Sequence, residues 1–165
     1  MGSERISAPP MVGAHRDGSV VNVEAAPGDF GRLYLLFPED GVVLHSNHFL
    51  SPGFGGKDVS VWVMPDSPLR LQRIRAGLSR REGLPTLDTF RALLADHANY
   101  PSGLCCHPDP RKDPYDQGAT VASVLMDLGT QQMLLADGNP CSAPYRQLDY
   151  REFLAKPSRT AEPAR

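Results

Sequence analysis

Gly41-Val42-Val43-Leu44-His45-Ser46-Asn47-His48-Phe49-Leu50 joins two kinds of residue that seldom share one stretch. An apolar run enters it, an apolar pair leaves it, and four polar residues stand between them. The run predicts a strand over Val42–Leu50 with the polar quartet at its far end. A strand that only built a core would not place two imidazoles, a hydroxyl and an amide together. The amide of Asn47 is the most informative group, because two N–H donors on a short side chain suit a carbonyl oxygen that is becoming an oxyanion. The bland alternative is an Asn and two His satisfied by loop backbone. The two-residue period of a strand puts His45 and Asn47 on one side, and Ser46 and His48 on the other.

Working outward, Gly18–Glu24 alternates enough to be a strand, closed by Pro27-Gly28, and Arg32–Phe37 is a second. Pro38-Glu39-Asp40-Gly41 is a turn, so Val42–Leu50 completes an antiparallel meander. Downstream, Ser51–Gly56 is a loop, and Asp58–Met64 alternates as a short strand. Ser67 reads as the N-cap of a helix with Pro68 at its first position; Leu71, Ile74 and Leu78 share one face, and Gly83 ends it. Most of its arginines face away, but Arg70 lies in the first turn and can point back towards the quartet. Thr86 caps a second helix with Leu87, Phe90, Leu93 and Leu94 as its buried stripe. Thr120–Leu128 is the clearest strand, Gly129-Thr130 a tight turn, and Gln131–Ala136 the antiparallel return. Pro144–Leu154 is a last apolar-aromatic segment. Hairpins, a helix pair and another hairpin predict an α+β layered domain with the helices on one face of an antiparallel sheet. Residues 1–17 and the tail 155–165 are expected to be disordered around a single unit at 18–154.

At 165 residues the chain fits one domain. A net charge of −2 with no long basic stripe excludes binding nucleic acid by phosphate neutralisation. No apolar run approaches the roughly 20 residues of a membrane helix, and Met1–Pro10 has no apolar signal core. The expected location is the cytoplasm. Three cysteines do not make a disulfide framework. Cys105-Cys106-His107 lacks a second pair at ligand spacing, and Cys141 stands alone, so neither a metal nor a cofactor is expected. A Cys–His catalytic pair is open, although neighbours on an extended segment point apart. The plainer reading is a buried Cys105 beside a half-exposed Cys106. Ser123 reads as a packed strand serine, and no Gly-x-Ser-x-Gly elbow or phosphate loop is present.

Taken together, "VNVEAAPGD", "LYLLFPEDGVVLHSNHFLSP", "DSPLRLQRI", "LPTLDTFRALLADHANYPSGLCCHPDP" and "TVASVLMDLGTQQMLLADGNPC" resemble the C-terminal half of the acyl-coenzyme A:6-aminopenicillanic acid acyltransferase family. These are N-terminal-nucleophile hydrolases, also treated as cysteine peptidases. The resemblance covers Val20 to Cys141, and its most specific pieces are His45–Phe49, Ser67-x-x-Arg70, Cys105-x-His107 and Asp137-Gly138-x-Pro140-Cys141. It implies the C-terminal part of an αββα sandwich, autoproteolysis before a cysteine, and a freed cysteine whose own amine takes the thiol proton. Asn47 matches the family's oxyanion or substrate-amide contact; His45, His48, Arg70, Cys105 and His107 are the implied substrate-binding positions. The implied partners are a small-molecule amide or acyl thioester, together with a separately encoded N-terminal half or a second copy. Two departures stand out. No cysteine precedes Cys105, so the nucleophile is not in this chain, and Cys106 stands where family members commonly carry Arg. The expected function is therefore acyl transfer or amide hydrolysis at C–N bonds, with this chain inactive alone. The alternatives are a non-catalytic interaction domain and an independent amidohydrolase using Cys105 or Cys106.

Overall fold

The computed structural model describes residues 11–25, 33–54, 58–80 and 83–149. It is an α+β structure with two antiparallel three-stranded sheets. The first sheet holds β1 (Met11–Ala14), β2 (Val20–Ala25) and β3 (Leu33–Leu36) in that order. The second holds β4 (Ala122–Asp127), β5 (Gln132–Asp137) and β6 (Tyr145–Asp149), also in chain order. Between them lie α1 (Ser60–Val63), α2 (Ser67–Ser79) and α3 (Leu87–Leu94). The turn expected at Pro27-Gly28, the tail 155–165 and the end of the Pro144–Leu154 segment fall outside the described residues.

Three local expectations are corrected. Residues 11–17, expected to be disordered, form β1 and its turn, so the meander is β1-β2-β3 and does not include Val42–Leu50. Asp40 and Gly41 do turn the chain with positive φ, and Glu39 and Val42 exchange both backbone hydrogen bonds at 2.9 Å. The ladder stops at that bridge, and Val43 onwards is irregular. Asp58–Met64, read as a strand, contains α1 instead: Asp58 Oδ1 accepts Ser60 N–H at 2.9 Å and turns the backbone into a helix. Seven residues of alternation do not resist one such side chain.

The later elements follow from their residues. Thr86 and Thr89 form a reciprocal capping box at the start of α3. Gly77 lets α2 approach α3, since a Cβ there would lie 2.2 Å from Leu93 Cδ2. Arg73 and Asp96 pair beside that contact. α3 packs against β4, with the Arg91 guanidinium over the Tyr145 ring. The β4–β5 turn is held by Asp127 Oδ1, which accepts Gly129 and Thr130 N–H at 2.9 and 3.1 Å, with Gln131 at positive φ.

The sheets differ in what they bury. β4 and β5 turn Ser123, Leu125, Leu134 and Ala136 inward. β2 turns Asn22 and Glu24 inward, leaving Val21 and Val23 half-exposed. Leu33 and Leu35, on the Val23 face of the same sheet, are 60% and 52% exposed, so this face is apolar and uncovered by the described residues.

Candidate functional site

The polar quartet is irregular in backbone yet fixed in place, because polar side chains from three separate segments do what a strand ladder would have done. Glu24 of β2, 2% exposed, is the first anchor. Its carboxylate accepts Leu50 N–H at 2.6 Å, Ser51 N–H at 3.0 Å and His45 Nε2–H at 2.7 Å. The other ring nitrogen of His45 faces the Ser46 carbonyl, so the imidazole cannot rotate. Asp58 is the second anchor and accepts Phe49 N–H at 2.8 Å. Burial pushes its carboxyl up, but the hydrogen bonds from Ser60 and Phe49 outweigh it and leave it below the usual carboxylate range.

Ser67 is the third anchor. It is fully buried and is the first residue of α2; Asp66 occupies the cap position that the sequence assigned to Ser67. Its hydroxyl has a more connected task than capping. It accepts Asn47 N–H at 2.8 Å, meets His48 Nδ1 at 2.7 Å and donates to Ser46 Oγ at 3.0 Å. Ser46 and His48 therefore share one partner on one side. Burial pushes the His48 imidazole below its ordinary value, against the pull of Asp58.

Asn47 is held differently. Its Oδ1 accepts Arg70 Nη2–H at 2.6 Å, and Arg70 Nε–H donates to Asp66 Oδ2 at 2.6 Å. Asp66, Arg70 and Asn47 thus form a chain that fixes the amide by its oxygen. Its Nδ2 hydrogens have no partner among the described residues. A cation on the amide oxygen also polarises the group and strengthens those N–H donors. Cys106 lies within reach of the same charges: burial pushes its thiol up, the Asp66 carboxylate adds to this and Arg70 opposes it.

The structure brings His45, Asn47, His48 and Arg70 together, adds Glu24 and Asp58, which the sequence did not single out, and gives a bonding role within the site to Ser46 and Ser67, which were singled out without one. The alternation of Asn22 and Glu24 with valines marks a strand but leaves open which of its faces is inner. Cys105 and His107 belong to a separate group with His97 and Cys141. Cys105 is fully buried, and burial pushes its thiol up despite the Asn139 amide donating to its sulfur. An open concavity of about 640 Å³ runs along β1, β2 and Phe37 and includes none of these residues. No helix among the described residues is long and apolar enough to cross a membrane. Comparison with protein-family models and with curated proteins gives no match.

Proposed function

We propose that this chain is the C-terminal part of an N-terminal-nucleophile acyltransferase or amidohydrolase, in which Asn47 stabilises the oxyanion formed at a C–N amide carbonyl. The observation that carries the reading is the Asp66–Arg70–Asn47 chain, which spends the amide oxygen and leaves the amide N–H groups as donors. A cysteine thiolate supplied from outside this chain attacks the carbonyl carbon, and its oxygen gains negative charge. A preorganised N–H donor stabilises that charge without reorganisation, and loss of one such donor costs roughly 100- to 1,000-fold in kcat. Collapse expels the amine, which takes the proton that the cysteine's own α-amine had removed from the thiol, and leaves a thioester whose acyl group passes to water or an acceptor amine as the thiol is released.

Two further observations support the reading. Burial raises the Cys105 and Cys106 thiols, the opposite of what a thiolate nucleophile needs, so these cysteines make poor substitutes for an absent one. The Leu33–Leu35 face and the Val124–Met126 face, with Met126 59% exposed, present apolar sheet surface of the kind that another layer covers in a sandwich. The reading places that layer, and the nucleophile, in an N-terminal half outside residues 1–165.

The test is to express the chain alone and together with a cysteine-headed N-terminal half of the resembled family's type. Alone it is expected to associate at micromolar concentration by sedimentation and to turn over neither amides nor acyl thioesters. Together the two are expected to form a heterodimer with amidase activity that Asn47→Ala lowers about 100-fold or more. Turnover by the chain alone, abolished by alkylating Cys105 or Cys106, would transfer the reading to an independent cysteine amidohydrolase. A clean monomer with a cooperative melt would show that the chain closes its own core.

A further inference from the structure

The side chains of His97, Cys105, His107 and Cys141 come from three separate segments. His97 lies in the turn after α3, Cys105 and His107 in the loop that follows, and Cys141 in the turn after β5. One nitrogen or sulfur from each falls within 4.8 Å of all the others. His107 Nε2 is the common neighbour, at 3.0 Å from His97 Nε2, 3.4 Å from Cys105 Sγ and 3.5 Å from Cys141 Sγ. We propose that these four side chains form a tetrahedral Cys₂His₂ site for a zinc-like divalent transition metal, joining the α3 end of the fold to the β5–β6 turn.

Hydrogen bonding does not account for the convergence. A neutral imidazole nitrogen carries either one proton or one lone pair, so His107 Nε2 can satisfy only one of its three neighbours. A cation at the centre uses a lone pair from every one of them. The three distances from His107 agree with that arrangement. Metal–nitrogen bonds of about 2.0–2.1 Å and metal–sulfur bonds of about 2.3 Å make tetrahedral edges of roughly 3.3 Å between nitrogens and 3.6 Å between nitrogen and sulfur. The three edges meeting at His107 fall within a few tenths of an ångström of these values.

The frame around the four ligands is fixed by its own bonds. Cys105 N–H donates to the Asp96 carbonyl at 3.0 Å, and His107 N–H to the Pro101 carbonyl at 2.8 Å. Asn139, two residues before Cys141, donates through Nδ2 to the Cys106 carbonyl at 2.7 Å and so ties the β5–β6 turn to the ligand loop. Gly103 permits the tight path of that loop, since a Cβ there would stand 2.9 Å from the Ala98 carbonyl oxygen. Cys105 is fully buried, whereas His97 and Cys141 are exposed, so an ion can enter from the solvent side. Four protein ligands make a closed, structural type of site. The proposal replaces the earlier expectation that Cys141 stands alone, and it does not depend on the acyl-transfer reading.

The test uses the full chain, reduced and stripped with a chelator, and titrated with Co²⁺ as a visible probe and then with Zn²⁺. Expected is one equivalent of Co²⁺ with intense tetrahedral d–d bands and sulfur-to-cobalt charge transfer, bleached by one equivalent of Zn²⁺. Zn²⁺ should also raise Tm, as any ligand of the folded state does. His97→Ala and Cys141→Ser alter exposed ligands and should each weaken Co²⁺ binding at least tenfold, while Cys106→Ser leaves it unchanged. Weak octahedral bands, no binding by a chain that keeps its far-ultraviolet circular dichroism, or unaltered binding in a His97→Ala/Cys141→Ser double variant would each overturn the proposal.

Discussion

In the β1–β3 sheet the side chains of β2 turned fully inward are Asn22 and Glu24; in the β4–β6 sheet the inward set is Ser123, Leu125, Leu134 and Ala136. Both sheets have antiparallel order and three strands, and both show two-residue alternation. They differ in what secures the neighbouring chain. In β4–β6 the inward side is mostly apolar, and its one buried hydroxyl, Ser123 Oγ, meets Tyr145 Oη at 2.7 Å across the sheet. In β1–β3 a buried carboxylate gathers donors from 21 to 27 residues away and fixes an irregular segment that has no ladder of its own. In these two sheets alternation therefore marks the strands without saying which face is inside. A polar face can be the inner one when later segments bring enough donors to it.

The sharpest way to break this comparison is Glu24→Ala, which strands His45 Nε2–H and the N–H groups of Leu50 and Ser51 in a buried place. A loss of about 3–5 kcal/mol is expected by urea unfolding, since three buried donors each lose their acceptor at roughly 1–3 kcal/mol apiece. A loss under about 1 kcal/mol, within the range of an exposed pair, would mean that the carboxylate organises nothing. The matching change in the other sheet is Leu134→Ala, with an expected loss of about 2–3 kcal/mol, towards the low end for a buried leucine because the sheet can partly collapse. If this second change proved much the more damaging, the ranking of polar over apolar anchoring would be reversed. Ser67→Ala leaves Asn47 N–H and His48 Nδ1 without their shared partner, and about 1–3 kcal/mol should be lost. Valid evidence against it would be an unchanged midpoint together with unchanged protection of the Asn47 amide in hydrogen exchange.

Asn22 sharpens the comparison in the opposite direction. It is fully buried, and neither its Oδ1 nor its Nδ2 has a partner among the described residues. Asn22→Val, a closer apolar match in volume and suited to a strand, should stabilise the isolated chain by about 1 kcal/mol, by removing an unsatisfied amide. Destabilisation instead would show that the amide is bonded in solution. The smallest effect concerns pH. The folded state depresses His48, so it binds fewer protons than the unfolded chain once pH falls below the ordinary imidazole value of about 6.5. Stability from this group is complete above that pH and declines as pH drops towards the folded value. Asp58, also depressed, contributes above its ordinary carboxylate value and loses that contribution as pH falls through the folded one. His48→Gln should flatten the slope of stability between pH 7 and 5; an identical slope would locate the dependence elsewhere.

Local chemistry made much of the architecture legible without coordinates. The hairpin at Thr120–Ala136, the Thr86 cap and the turn at Asp40-Gly41 each depend on residues a few positions apart, and each is where the sequence placed it. Expectations that needed only neighbours failed where one side chain intervened, as Asp58 did in turning an alternating stretch into α1. The site was half legible. His45, Asn47 and His48 announce themselves as polar residues inside an apolar run, and Arg70 by its place in a first helical turn. Nothing local says that Glu24 lies inside, that Ser67 bonds the quartet, or that Cys141 meets His107.

What the sequence alone determined is the set of short-range structures and the chemical types available to them. What only the tertiary structure decided is which face of β2 is inner, and which distant donors and ligands converge. The reason is physical. A hairpin or a cap is selected by bonds closed within a few residues, at little loop entropy. A buried carboxylate or a four-ligand cluster is stable only after every partner has arrived, so its identity is written in the packing of segments that share no sequence signal. Glu24 with His45 is one such case, and Cys105 with Cys141 is the other.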